Sequence, residues 1–240
     1  MDNILLIETS TALCSVALAQ DGTITSYRES SAPKAHASLT AVFIQEMLQE
    51  RGLTLADCDA VCVSKGPGSY TGLRVGVSTA KGLCFGSDKP LLAVGTLDTL
   101  VAQASGAFKY IIPMIDARRM EVYTAVFESS VMSSSPSVMS CEAETSYKQI
   151  TETAPMIIYE TSFAEYLEQG PCLFIGDGAG KCADVIKHPN AQFRQCYPQA
   201  SAMLEPAMKA YNEKRFEDVA YFEPFYLKEF VATVSKKKLF

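Results

Sequence analysis

The residues of this chain that could handle a phosphate or a proton fall in two short turns and one polar cluster. The first turn is Glu8-Thr9-Ser10-Thr11, directly after the apolar run Ile4-Leu5-Leu6-Ile7. A phosphate-holding turn at such a place ordinarily carries an aspartate two residues before a glycine, because glycine lets the backbone come against the phosphate. Here the acid is a glutamate and no glycine follows, so only hydroxyls remain to touch a phosphate; a plain β-turn accounts for the same residues. The second turn, Asp177-Gly178-Ala179-Gly180, fits better, since strand-like Cys172 to Ile175 precedes it and a short helical stretch follows. Its backbone donors could face an anion, although the pattern is common in ordinary turns. Thr9, Ser10, Asp177, Gly178 and Gly180 are therefore the candidates for a vestigial nucleotide site.

The polar cluster is Asp116-Ala117-Arg118-Arg119, which reads either as a site or as a strand-end salt-bridge network. Other chemistries lack their parts. The only histidines, His36 and His188, are far apart and form no helical pair, so no metal site is expected. Neither has a nucleophile motif around it. The eight cysteines (Cys14, Cys58, Cys62, Cys84, Cys141, Cys172, Cys182 and Cys196) have no zinc-ligand spacing and sit mostly in apolar runs, as reduced buried thiols do. The residues assemble no complete active site, so no catalytic residue is assigned.

The elements that must position these groups are legible from periodicity. Ile4 to Ile7, Leu13 to Ala19 and Thr23 to Arg28 read as strands, the last two joined by an Asp21-Gly22 turn. A helix from about His36 to Arg51 carries Leu39, Val42, Phe43, Met47 and Leu48 on its apolar face. Ala60 to Ser64 is a strand, Thr71 to about Phe85 a helix, Leu91 to Val94 a strand and Leu97 to Ser105 a helix. Three antiparallel strands followed by helix, strand, helix, strand, helix is the order of a ribonuclease H-like fold. The second half offers strands at Tyr110 to Asp116, Glu121 to Glu128 and Cys172 to Ile175, with ambiguous stretches at Tyr147 to Ala154 and Met156 to Ile158. It offers helices at Thr161 to Gln169, Lys181 to Lys187 and Ser201 to Arg215. It reads as a degenerate second copy of the first half. The expected division is a first lobe over residues 1–105 and a second over 106–240, the C-terminal segment returning to the first. Ser129 to Ser140 is serine-rich and without periodicity.

One stretch is unusual: Lys65-Gly66-Pro67-Gly68-Ser69-Tyr70-Thr71-Gly72-Leu73-Arg74-Val75-Gly76-Val77-Ser78-Thr79-Ala80-Lys81-Gly82. Ser69 and Thr71 are candidate N-caps. Gly72, Gly76 and Ala80 recur every fourth residue, on one helical ridge. Helical glycine costs about 1 kcal/mol relative to alanine, so the ridge marks a close approach, either inside the fold or at a subunit contact. The stretch ends neither as a P-loop nor as a dinucleotide fingerprint.

The 240 residues, 48% hydrophobic and 20% charged, suit one large domain or two small ones. The net charge of −6 argues against independent nucleic-acid binding; the basic run Lys236-Lys237-Lys238 reads as a solvated tail. No apolar run reaches membrane-spanning length and the N-terminus lacks the basic region of a signal peptide, so a cytoplasmic protein is expected.

Four blocks carry a family resemblance. They are Ile4 to Thr11, the Lys65 to Leu83 stretch, Asp116-Ala117-Arg118-Arg119 with Glu121-Val122-Tyr123, and Pro224 with Tyr226-Leu227-Lys228, where arginine is more usual than Lys228. Together they resemble the TsaB family, also called YeaZ, over residues 1 to about 230, the loop from Ser129 to Thr153 excepted. The resemblance implies a two-lobed actin-like ATPase fold built from ribonuclease H-like halves. It implies a non-catalytic subunit that pairs with TsaD in making N6-threonylcarbamoyladenosine in tRNA, with the ATPase TsaE joining and tRNA contacted only indirectly. It implies no cofactor in this chain beyond weak or shared ATP or ADP in the complex. The implied contact is a helix bundle, with Gly72, Gly76 and Ala80 admitting the partner helix and Leu39, Val42, Phe43, Leu73 and Val77 supplying apolar contact. A homodimer would use the same surface. Two rival enzymes, an actin-like small-molecule kinase and a metallopeptidase, meet the missing glycine and the missing histidine pair.

Overall fold

The computed structural model describes residues 2–130 and 146–228. The serine-rich stretch beyond Ser130, Cys141 and the Lys236 to Lys238 tail lie outside the described residues.

The first lobe is built on β1 (Asn3–Glu8), whose residues are all buried. An unbroken apolar run suits a strand covered on both faces. β2 (Cys14–Gln20) and β3 (Thr23–Ser30) extend the sheet antiparallel on one side. On the other side β4 (Ala60–Gly66) and β5 (Leu91–Gly95) run parallel to β1, giving the order β3-β2-β1-β4-β5. The period of two along β1 divides its side chains between two cores. Leu5 and Ile7 meet α1 (Ala35–Glu50) and α2 (Tyr70–Ser87), through Ile44, Met47, Val77, Ala80 and Cys84. Ile4 and Leu6 meet α6 (Leu204–Asn212) and the 3-10 turn before it, through Ala200, Met203, Ala207 and Ala210.

The second lobe repeats this plan. β6 (Tyr110–Asp116) is central, with β7 (Glu121–Thr124) antiparallel beside it and β10 (Ala154–Ile157) antiparallel to β7. β11 (Cys172–Ile175) and β12 (Ala191–Arg194) run parallel on the far side, giving β10-β7-β6-β11-β12. β8 (Phe127–Ser129) pairs β6 further along, and β9 (Tyr147–Gln149) pairs β8. The single strand expected over Glu121 to Glu128 is thus two strands. Between them Val126 turns aside, donating to Thr151 Oγ1 (2.8 Å) and accepting from Ile150 N (2.8 Å). One face of the sheet packs on α4 (Ala164–Leu167) and α5 (Ala179–Cys182), the other on Leu97 and Leu100 of α3 (Thr96–Ala102).

Two further boundaries differ from the sequence reading. The helix expected over Ser201 to Arg215 is a 3-10 turn at Ala200–Met203 followed by α6. Pro206 stands in the first turn of α6, where a missing amide donor breaks no helical bond. The short helix expected at Lys181 to Lys187 begins earlier, at Ala179.

After α6 the chain returns along the first lobe. Glu217 N donates to Leu91 O (2.8 Å) and Phe225 N to Lys65 O (2.7 Å). Val219 and Phe222 cover the first core, and Lys81 Nζ donates to the carbonyls of Ala220 (3.1 Å) and Phe222 (3.0 Å). Among the described residues no helix is long and apolar enough to cross a membrane.

Candidate functional site

The glycine ridge closes on its own chain. Ser69 caps α2, accepting from Gly72 N (3.3 Å). A Cβ on Gly72 would stand 2.1 Å from Thr9 O, and one on Gly76 the same distance from Thr9 Oγ1. On Gly68 it would stand 2.3 Å from Ser10 O. Real carbon–oxygen contacts do not come so close, so these positions lack side chains because the Glu8–Thr11 turn lies on them. Hydrogen bonds hold the seam: Thr9 Oγ1 donates to Gly72 O (2.9 Å) and Ser69 N to Ser10 O (2.6 Å). Gly72, Leu73, Gly76, Val77 and Ala80 are all buried within the lobe. This corrects their assignment to the partner contact: the close approach is made by Thr9, and a side chain without surface offers none to a second protein.

The same packing buries the first phosphate turn. Glu8, Thr9 and Ser10 have no exposure and Thr11 has 5%. Ser10 N donates to Glu8 Oε1 (2.6 Å), while Glu8 Oε2, Ser10 Oγ and Thr11 Oγ1 have no partner. Burial pushes the Glu8 carboxyl up to about 7. In the second turn the donors are engaged inside the lobe. Gly178 N goes to Met114 O (2.9 Å), Ala179 N to Gly176 O (3.2 Å) and Gly180 N to Gln195 Oε1 (2.7 Å). The anion cradle expected at Asp177, Gly178 and Gly180 is therefore not formed. Asp177 Oδ1 instead accepts Asp116 N (2.9 Å), and burial raises its carboxyl to about 6.

The two lobes enclose a cleft of about 880 Å³. The first lobe contributes Ser10, Thr11 and Gly68 to Thr71; the second contributes Asp116 to Arg119, Tyr123 and Asp177. Of the nucleotide candidates, the cleft thus brings Ser10 and Asp177 together, and Thr9, Gly178 and Gly180 do not line it. The returning segment adds Tyr226, Leu227 and Lys228, which the site reading had missed although Pro224 to Lys228 was singled out. Tyr226 packs on Tyr70, ring centroids 4.7 Å apart. Lys228 pairs with Glu121 and Lys181 with Asp116, so part of the polar cluster is the salt-bridge network that the sequence allowed. His36 lines the cleft, its Nε2 2.8 Å from Thr11 O, and His188 Nδ1 accepts Asn190 N (3.2 Å). Among the described residues no cluster of histidine, cysteine and acid is placed to hold a metal. Six described cysteines are buried and Cys196 is half-buried; none is paired.

The outer side of α1 and α2 is a second surface. Leu39 and Phe43 are half-buried there, Val42 is 41% exposed and Phe85 is 86% exposed. An apolar groove of about 340 Å³ runs between α1, Leu53 to Leu55 and Leu83, lined by none of these four residues. Gly82 and Gly86, on the outer side of α2, face open space.

Two ribonuclease H-like halves around a cleft define the class: a two-lobed α/β protein of the actin-like ATPase fold. Over residues 29–236 the chain matches the family described as "TsaD: tRNA N6-adenosine threonylcarbamoyltransferase". It is 32% identical to the tRNA threonylcarbamoyladenosine biosynthesis protein TsaB of Escherichia coli, over 95% of this chain and 96% of that one. It is 30% identical to TsaB of Haemophilus influenzae, over 98% and 96%. The solved structure described as YeaZ from Pseudomonas aeruginosa superposes with a TM-score of 0.78 at 25% identity, over 95% of this chain and all of that one. The chain belongs to the TsaB (YeaZ) family of tRNA threonylcarbamoyladenosine biosynthesis proteins.

Proposed function

We propose that this chain is a non-catalytic subunit that pairs with TsaD in tRNA threonylcarbamoyladenosine synthesis, TsaE joining the larger assembly and tRNA being contacted only indirectly. The pairing surface is the outer side of α1 and α2, and a second copy of the chain uses it when TsaD is absent. The observation that carries this reading is Phe85, 86% exposed on an otherwise well-packed helix, together with Val42, 41% exposed on α1, and an apolar groove between α1 and Leu83. A large exposed apolar side chain of this kind is what a partner covers. The non-catalytic part is supported by the first phosphate turn, which has no glycine and is sealed under α2. A cytoplasmic location follows from that role.

The test is size-exclusion chromatography and pull-down with TsaD of the same organism. Wild-type chain forms a one-to-one complex; Phe85→Asp and Val42→Asp each weaken it at least about tenfold, the loss of an interface anchor. Capture of TsaD by Phe85→Asp at wild-type strength would remove the surface assignment. ATP turnover by the chain alone, with no complex formed, would put the kinase reading in its place.

A further inference from the structure

Among the described residues the chain passes between the lobes three times. The first crossing follows α3 and the second follows β12. Side chains tie these two together. Arg194 donates to Gln103 O (3.3 Å), Ser105 O (3.2 Å) and Ser105 Oγ (3.1 Å). Gln103 donates to Tyr197 O (3.1 Å) and accepts Gln199 N (3.1 Å). Residues 103–109 and 195–199 do not line the cleft. Two tied crossings outside a cleft are the geometry of a hinge about which it opens and closes.

The third crossing is the returning segment, and it lies at the cleft itself, which Tyr226, Leu227 and Lys228 line. Along the first lobe it is fastened repeatedly. Glu217 N donates to Leu91 O, Lys81 Nζ to the carbonyls of Ala220 and Phe222, and Phe225 N to Lys65 O, while Tyr226 packs on Tyr70. It then reaches β7 of the second lobe. There Lys228 pairs with Glu121, and its ammonium lies 5.6 Å from the centroid of the Tyr123 ring. A contact set away from a hinge opposes rotation about it.

We infer that residues 216–228 are a strap that holds the two lobes at a fixed opening, with Lys228 on Glu121 and Tyr123 as its releasable end. The two ends are unequal. The first-lobe end has backbone bonds and a ring contact; the second-lobe end has a partly exposed ion pair and a cation–π contact, which hold weakly and are screened by salt. Together these two contacts favour the held state by about three- to thirtyfold. Breaking them frees the lobes while the strap stays on α2.

Spin labels at Glu46→Cys on α1 and Asp184→Cys beyond α5, both exposed, read the interlobe distance in the full chain by pulsed electron resonance. Cys141 and Cys196 are replaced by serine in this background; the other six cysteines are buried. With the strap intact one narrow distance distribution is expected. Lys228→Glu, which sets two carboxylates against each other, adds a second distance, and so does salt at about 1 M in the chain with the strap intact. The Lys228→Glu/Glu121→Lys exchange restores the pair and the single distribution. A distribution that Lys228→Glu leaves unchanged, a broad one with the strap intact, or an exchange variant that keeps the second distance overturns the inference.

Discussion

Replacing Gly72 and Gly82 by alanine, one at a time, separates the two faces of α2. Intrinsic propensity favours Gly82→Ala by about 1 kcal/mol, because it removes glycine from a helix interior, and Gly72→Ala, in the first turn of α2, by less. The surroundings differ. At Gly82 the new methyl meets nothing within 4 Å. At Gly72 it lies 2.1 Å from the Thr9 carbonyl oxygen, a backbone atom that cannot swing away. Relieving that contact moves the turn by more than an ångström, at the expense of overpacking strain of about 1–3 kcal/mol. It also strains the Thr9 Oγ1 bond to Gly72 O at 2.9 Å and the Ser69 N bond to Ser10 O at 2.6 Å, about 1 kcal/mol each if lost. Gly82→Ala is thus expected to raise stability by up to about 1 kcal/mol, and Gly72→Ala to lower it by about 1–3 kcal/mol. Urea unfolding followed by circular dichroism reads both. The comparison is internal to one helix, so unfolded-state effects of the substitution largely cancel. A Gly72→Ala midpoint equal to or above that of Gly82→Ala would refute the seating of α2 on the Thr9 turn.

Three further outcomes follow from particular contacts. The folded Glu8 carboxyl, raised to about 7 from the ordinary 4.5, holds its proton where the unfolded chain has lost it; its contribution is therefore full below about 4.5 and lost as pH rises to about 7. Glu8→Gln removes that loss, so its stability relative to wild type should grow by about 3 kcal/mol between pH 4.5 and 8; a pH-independent difference would contradict the buried acid. Lys81→Met leaves the carbonyls of Ala220 and Phe222 without their donor and should loosen the returning segment by about 1–3 kcal/mol, seen as faster proteolysis within residues 216–228. Phe85→Asp should leave the urea midpoint within about 0.5 kcal/mol of wild type, because the side chain is 86% exposed, while removing pairing.

The strands and helices of the first lobe were legible because each is either a continuous apolar run or a strongly periodic stretch bounded by turn residues. β1 reads as a continuous apolar run, and the spacing of Gly72, Gly76 and Ala80 correctly marked a close approach. What spacing does not encode is the identity of the approaching group. Thr9 is 63 residues from Gly72, and only the fold brings them together. The second lobe was less legible for local reasons. Glu121 to Glu128 reads as one strand-like run, and the unbroken apolar residues Ala125-Val126-Phe127 at the point where β7 gives way to β8 carry no turn residue to divide it. β12, Ala191–Arg194, is a four-residue edge strand of mixed polarity without a signal of its own. At the cleft, Asp116, Arg118 and Arg119 stood out as a polar cluster, whereas Tyr226 and Lys228 reach it from the far end of the chain.

The ridge carries a geometric consequence for where partners can bind. An α-helix advances about 100° per residue, so Gly72, Gly76 and Ala80 fall within about 80° of one another, a single narrow stripe. Thr71, Ser78, Gly82 and Phe85 then fall on the opposite side, and all four are exposed. A helix whose inner stripe is pulled so close to the sheet stands low on the lobe. Small residues on its outer side, Gly82 and Ser78, keep it low there as well. Arg74 and Phe85 are the large exposed side chains on that side, Phe85 at 86%. The small-residue pattern therefore seals the first phosphate turn beneath α2, while Ser78 and Gly82 on the outer side leave Arg74 and Phe85 standing out from it.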